Sequence, residues 1–310
     1  MLVTVVGAGG VGGYFGGRLV QAGVDVTFVA RGAQLAALKA HGLRVRSARG
    51  DFMVPVRATD DLASSGAADY VLVTVKSFDT DRVASVLGPL VGDDTAVVSL
   101  QNGVDNEERL AAVLGDDRVI GGAAYIFATI AEPGVIDHTG GPASLVVGEW
   151  RGGASRRVAS LVEAFRAAGV TADDSSNIRA VLWSKFAFIC AQAGVTAAVR
   201  LPIGEIRSQP AGRDLFRNLA AEVCAVAAAE GIDLPADLPE QTLTFADALG
   251  PGGRSSLHND LVHGRPMELD ALMGEVIRRG NHRRVDVPTT RAVYGVLQPW
   301  AARARRSQQT

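Results

Sequence analysis

Cysteine, metal-ligand clusters, net charge and targeting signals are all scarce here, and each shortage removes a class of function. The 310 residues include two cysteines, Cys190 and Cys224. Both lie in apolar stretches of helical spacing, which points to reduced core thiols in a cytoplasm. Five scattered histidines add no metal-ligand spacing, so no metal is expected. A net charge of −2 gives no global attraction to nucleic acid or to an anionic membrane, and neither is expected as a partner. No apolar run is expected to reach the length of a membrane span, which predicts a soluble protein. The N-terminus has no basic segment ahead of its apolar stretch, and that stretch is needed as a first strand, not a signal peptide. Residues 301–310, with Arg303, Arg305 and Arg306, are expected to be a frayed end. What remains, 47% hydrophobic and 21% charged, is ordinary globular composition, long enough for two domains with a core each.

The most informative stretch is the start. Val3-Thr4-Val5-Val6 is short, apolar and β-branched, as a buried parallel strand should be, and runs into Gly7-Ala8-Gly9-Gly10-Val11-Gly12. Gly7, Gly9 and Gly12 fit the dinucleotide fingerprint. The first makes the tight turn, the second lets the backbone approach a pyrophosphate, and the third lets helix and strand pack closely. The helix that follows would aim its N-terminal amides at the phosphates, so Gly7, Gly9, Gly10 and Gly12 are the expected cofactor contacts. A second strand, 26–29, ends at Ala30-Arg31. An NAD enzyme would normally carry Asp or Glu here, to accept bonds from the ribose hydroxyls. Arginine instead presents a fork of donors suited to a 2′-phosphate, so NADP is the expected cofactor. A solvated arginine on a surface turn is the plain alternative.

Through about residue 170, strands and helices alternate. Helices are expected near 13–22, 35–41, 79–87 and 104–114, and strands at 70–75 and 96–100. A hairpin is expected around Arg49-Gly50-Asp51, and β-rich segments at 119–130 and 135–147 flank Glu132-Pro133-Gly134. That pattern predicts an α/β Rossmann-type parallel sheet with antiparallel edge strands, over residues 1–172. Beyond Gly169 no strand is evident. Segments 177–200, 210–230, 238–249 and 268–279 have helical length and spacing, so residues 173–310 are expected to form an all-helical substrate domain closing the cleft beyond the strand ends.

Several residues could carry chemistry. Lys76 and Asn102 each follow a strand end, where the cofactor and substrate should lie, although a surface lysine and a turn asparagine are the ordinary readings. Lys185 sits in the apolar run Leu182-Trp183-Ser184-Lys185-Phe186-Ala187-Phe188. A buried ammonium is costly, and desolvation favours giving up its proton near neutral pH, which suits a general acid; a lysine snorkelling from a helix edge is the alternative. Glu268 is a candidate partner, with Asp270 competing for that role. Ser255 and Ser256 could donate to a substrate or cap a helix.

Together these residues are similar to the ketopantoate reductase (2-dehydropantoate 2-reductase) family, NADPH-dependent enzymes of pantothenate synthesis. The resemblance runs through the glycine turn, Arg31-Gly32, Lys76, Gln101-Asn102-Gly103, Pro133-Gly134, Asn177-Ile178-Arg179, Trp183-Ser184-Lys185, and Ser255-Ser256 before Glu268. It implies that Lys185 and Glu268 are catalytic, Lys185 protonating the carbonyl oxygen and Glu268 hydrogen-bonding the substrate hydroxyl and helping to set the lysine, and that Ser256 donates to the substrate carboxylate. It also implies that Asn102 positions nicotinamide and substrate, with Arg31 and Lys76 as cofactor contacts. The chain departs from the family where asparagines are usual, carrying Ile189, Ala193, Ile203 and Met273 instead. If those positions line the pocket, it is more apolar than a pantoate pocket should be. Gln192 and Thr196, seven and eleven residues past Lys185, return to nearly its face and could rebuild a polar wall; a boundary glutamine and a helix-internal threonine are the alternative. The function expected is NADPH-dependent reduction of a small 2-oxo acid, ketopantoate by family default. The alternatives are a more apolar ketone or imine and, in another class, a non-catalytic NADPH-binding regulator. Apolar helices in the second half make a homodimer a reasonable assembly.

Overall fold

The computed structural model describes residues 1–307; residues 308–310, the end of the expected frayed tail, lie outside the described residues. The chain divides into two compact units: Met1–Gln101 with Asn106–Ile178, and Asn102–Asp105 with the chain from Arg179 onward.

The first unit alternates as its sequence suggests. In chain order it contains β1 (Leu2–Val6), α1 (Gly10–Gln21), β2 (Asp25–Val29), α2 (Gly32–His41), β3 (Leu43–Ser47), β4 (Phe52–Val54) and β5 (Arg57–Thr59). Then follow β6 (Tyr70–Val73), α3 (Thr80–Ala84), β7 (Ala96–Ser99), α4 (Asn106–Leu114), β8 (Val119–Glu132), β9 (Val135–Glu149), α5 (Arg156–Ala167) and β10 (Thr171–Asp174). The strands make one sheet in the order β4-β3-β9-β8-β7-β6-β1-β2-β5, with β10 beside β9. Only the β3–β4 and β8–β9 pairs are antiparallel. β6 and β7 are buried along their whole length, the state that Val- and Leu-rich parallel strands require. Phe15 of α1 and Phe165 of α5, both fully buried, meet edge-to-face in the core. Strand order reverses on either side of β1, with β6 on one flank and β2 on the other, which is where open α/β sheets bind ligands.

Two expectations change in this unit. A strand does exist beyond Gly169: β10 pairs in parallel with Ser144–Val147 of β9. Its sequence, Thr-Ala-Asp-Asp, buries only Ala172, so it carries no apolar signal. The helix expected over 79–87 is shortened to α3, and 3-10 turns occupy both of its flanks.

The second unit is helical: α6 (Ile178–Val199), α7 (Ile203–Arg207), α8 (Pro210–Ala229), α9 (Leu238–Ala248), α10 (Ser256–Val262), α11 (Glu275–Arg283) and α12 (Pro288–Arg306). Against the expectation of no membrane-length run, α6 is long and apolar enough to span by length and composition, but 72% of its apolar window is buried inside the protein. A helix apolar all round is one that belongs in a core. The expected helix from 268 begins instead with a wide π-type turn at Asp270–Gly274 that runs into α11. The expected frayed tail is also corrected. α12 extends to Arg306, with Ala301 and Ala304 buried and Arg305 paired to Asp270. Pro288 is tolerated at its start because the first helical amide needs no partner.

Candidate active site

At the end of β1 the chain turns at Gly7, whose φ of +107° suits glycine; a Cβ there would come 2.9 Å from the backbone nitrogen of Val75. Thr74 Oγ1 anchors the turn, donating 2.6 Å to the Gly7 carbonyl. A Cβ on Gly12 would collide with that carbonyl and with Thr74 Oγ1, and one on Gly10 would collide with the Ala128 carbonyl. Gly9 is different: nothing stands within 4 Å of where its Cβ would be. It is the N-cap of α1 and supplies no capping side chain to the first amides of the helix. A tight turn, open space at the second glycine and uncapped helix amides are the features a pyrophosphate needs, so these residues fit a dinucleotide. Arg31 directly follows Ala30 at the end of β2, as the exposed N-cap residue of α2. Lys76, half-buried, starts the turn after β6.

Gln101, beside Asn102 at the end of β7, has a structural job of its own. Its Nε2 donates to the Val75 carbonyl (3.0 Å) and to Thr80 Oγ1 (2.8 Å), fastening the loop after β6 to the end of β7. A glutamine next to a strand end gave no separate signal for this.

In the second unit the structure brings two of the expected residues together. Lys185, 8% exposed on α6, donates from Nζ to Asn102 Oδ1 at 3.0 Å. Asn102 precedes Gly103, whose φ of +121° sets the turn. The acceptor is an uncharged amide, so it orients the ammonium without neutralising it. Glu268 is 8% exposed on the segment ahead of the π-type turn. Asp270 is otherwise engaged: its carboxylate accepts from Tyr294 Oη (2.7 Å) and Arg305 Nη1 (2.8 Å). Burial pushes that carboxyl up, but Arg305 and Tyr294 together hold it below its usual range. The serine pair separates by role. Ser255 is buried and caps α10, accepting from the His258 amide at 3.0 Å, whereas Ser256 is exposed at the first helical position. Gln192 is 3% exposed, and neither of its amide atoms has a partner among the described residues.

Of the four positions that lack the family's asparagines, Ala193, Ile203 and Met273 are core residues of the helical unit, each 1% exposed or less, and Ile189 is half-buried. A Cβ on Gly194 would lie 3.2 Å from Met273 Cε, so the methionine packs on α6 beside Ala193.

The first unit thus carries a glycine turn with the shape a pyrophosphate requires, and the second a buried ammonium held by an amide. The family description "Ketopantoate reductase PanE/ApbA" matches residues 3–152, and its C-terminal counterpart matches residues 177–301. The chain is 32% identical over 305 residues to the uncharacterized oxidoreductase YkpB of Bacillus subtilis, covering 97% of this chain and 99% of that one. It is 34% identical to a 2-dehydropantoate 2-reductase of Mesorhizobium japonicum, covering 93% and 94% respectively. The crystal structure of a PanE/ApbA family ketopantoate reductase from Ralstonia eutropha superposes with a TM-score of 0.90 at 34% identity, over 98% of this chain and all of the other. The chain therefore belongs to the ketopantoate reductase family, whose members are oxidoreductases acting on an oxo/hydroxy pair.

Proposed function

We propose that this protein reduces a small 2-oxo acid to the 2-hydroxy acid with NADPH, 2-dehydropantoate to pantoate being the family's default pair. The observation that carries the reading is the 3.0 Å hydrogen bond from Lys185 Nζ to Asn102 Oδ1, because it fixes a buried proton donor. When bound, the reduced nicotinamide supplies hydride to the carbonyl carbon. Lys185 gives its proton to the carbonyl oxygen, which would otherwise carry the developing negative charge. Asn102 holds the ammonium in one orientation. Glu268 accepts from the hydroxyl of the substrate, Ser256 donates to its carboxylate, and Gln192 contributes to the polar wall. Gly7, Gly9, Gly10 and Gly12 receive the pyrophosphate, and Arg31 with Lys76 supplies positive charge to the phosphates and ribose. Arg31 is what favours the phosphorylated cofactor over NADH.

A second reading keeps the reaction and changes the substrate to a more apolar ketone or an imine. Loss of the family's asparagines at Ile189, Ala193, Ile203 and Met273 favours it, and of these Ile189 alone is not fully buried in the core. A cofactor-sensing regulator would have no use for a proton donor at Lys185. We place the enzyme in the cytoplasm as a homodimer, which sedimentation of the purified protein would check.

The test is loss of reduced-nicotinamide absorbance with purified protein, NADPH or NADH, and a panel of 2-oxo acids headed by ketopantoate. Turnover with NADPH and ketopantoate supports the default pair. Turnover only with other ketones or imines moves the substrate. Tight NADPH binding with no turnover of any carbonyl or imine refutes the enzyme reading.

A further inference from the structure

Two side chains of the helical unit are buried with all their hydrogen-bonding capacity unused. Gln192 is 3% exposed and His258 is 4% exposed. Among the described residues, neither amide atom of the first nor either ring nitrogen of the second has a partner. Native proteins rarely leave buried polar groups unmatched, because each bears its full desolvation cost; an orphaned pair therefore points to something that binds there.

Their positions are linked. Thr196 lies one helical turn past Gln192 on α6, and its Oγ1 donates to the Gln192 carbonyl. The same hydroxyl is 2.7 Å from Ser255 Oγ, and Ser255 caps the turn that carries His258 three residues later. Spacings of four and three residues put each orphan one turn from a partner in that hydrogen bond, which joins α6 to the start of α10. Desolvation, helped by Arg254 and His263, pushes the His258 imidazole below its usual pKa, so it stays neutral and can donate from one nitrogen while accepting at the other.

We infer that Gln192 and His258 form a polar subsite for the part of the substrate beyond the reacting carbonyl, and that it takes an uncharged group able to donate and accept, a carboxamide or a hydroxyl. The inference rests on the reductase reading for the position of the carbonyl, at Lys185. Gln192 is seven residues farther along the same face, about 10 Å of helix rise, so the recognised group lies several bonds from the reacting carbon. Neither side chain brings charge. A carboxylate placed there would lose its water without gaining a counter-ion, and an alkyl chain would leave the orphans unpaired.

The experiment compares 2-oxoglutaramate, which ends in a carboxamide, with 2-oxopentanoate and 2-oxoglutarate, using NADPH and the wild-type, Gln192→Leu and His258→Phe proteins. The wild type is expected to favour the carboxamide in kcat/KM by tenfold or more over both others. Each variant should lose that preference, chiefly through KM. The melting temperature without substrate separates binding from structure: exchanging an orphaned amide for an apolar group of similar size should not lower it, whereas removing a structural hydrogen bond would. Lost preference with an undiminished melting temperature upholds the subsite; any other combination, including a wild type without preference, overturns it. If the wild type turns over no 2-oxo acid at all, the 2-oxo-acid reading fails on its own. Calorimetric titration of 2-oxoglutaramate into the NADP⁺-loaded protein then decides: binding that Gln192→Leu weakens tenfold upholds the subsite, and no binding or an equal affinity overturns it.

Discussion

The proposed preference for NADPH rests on one exposed side chain, Arg31. Arg31→Ala should raise the KM for NADPH about tenfold or more while changing that for NADH little, because a charge-assisted bond to a phosphate is worth about 1.5–3 kcal/mol and NADH has no such phosphate. Initial rates with both cofactors check this. Lys185→Ala should lower kcat by a factor of about 10²–10⁴, the usual loss for a positioned general acid, with the NADPH dissociation constant from fluorescence titration retained. An equal loss of cofactor binding would mean the lysine is structural. At this scale the sequence showed what broke a local rule. Lys185 stood out as a charge in an apolar run, and Gln192 by its spacing from that lysine. His258 gave no signal, because α10 is seven residues long, too short to show a period, and a single histidine among polar neighbours looks like surface. The sequence offered Glu268 as the partner of Lys185, and the bond to Asn102, 83 residues away in the chain, had no sequence signal.

Elements were legible where burial and chemistry agreed. β1, β6 and β7 read as strands because nearly every residue in them is apolar and buried. β10 did not, because its pairing comes from the backbone next to β9, while its side chains are mostly exposed. α12 was obscured by Pro288 and Pro299, the first harmless at a helix start and the second accommodated inside it. α5 offers a test of local chemistry. Its Ser155 cap accepts from the Val158 amide at 3.2 Å, so Ser155→Ala should cost about 1 kcal/mol, measured as a lower urea midpoint with an unchanged m-value. Gly148→Ala tests the β9–β10 edge. Its Cβ would collide with the Ser175 carbonyl, a backbone atom that cannot rotate away, so a loss of about 1–3 kcal/mol is expected in the same measurement.

For the molecule as a whole, acid should act in two stages. His258 and His138 are both pushed down by desolvation, the latter partly offset by the Gly140 and Gly141 backbones. The unfolded chain therefore takes up these protons first, and stability should begin to fall as pH drops below about 6.5. Glu230 is held low by Arg283 and Arg279; at Glu149, burial acts upward but Arg157 and Ser155 pull the carboxyl down further. Their contribution is complete above the unfolded carboxyl range, near 4.5, and is lost as pH falls through the lowered folded values. Melting temperatures from pH 8 to pH 3 should show a shallow decline and then, below about 4.5, a steeper one; a flat profile to pH 5 would contradict the histidine assignment. The Asn102–Asp105 turn has a consequence for inheritance. It belongs to the helical unit while the chain on either side of it belongs to the other, and the amide that holds Lys185 is encoded 83 residues upstream. A gene severed between codons 178 and 179 would leave the ammonium and its acceptor on separate polypeptides. Recombination that exchanged the N-terminal segment would replace that acceptor too, so lineages that shuffle cofactor modules should have to inherit the asparagine turn and the lysine helix as a matched pair.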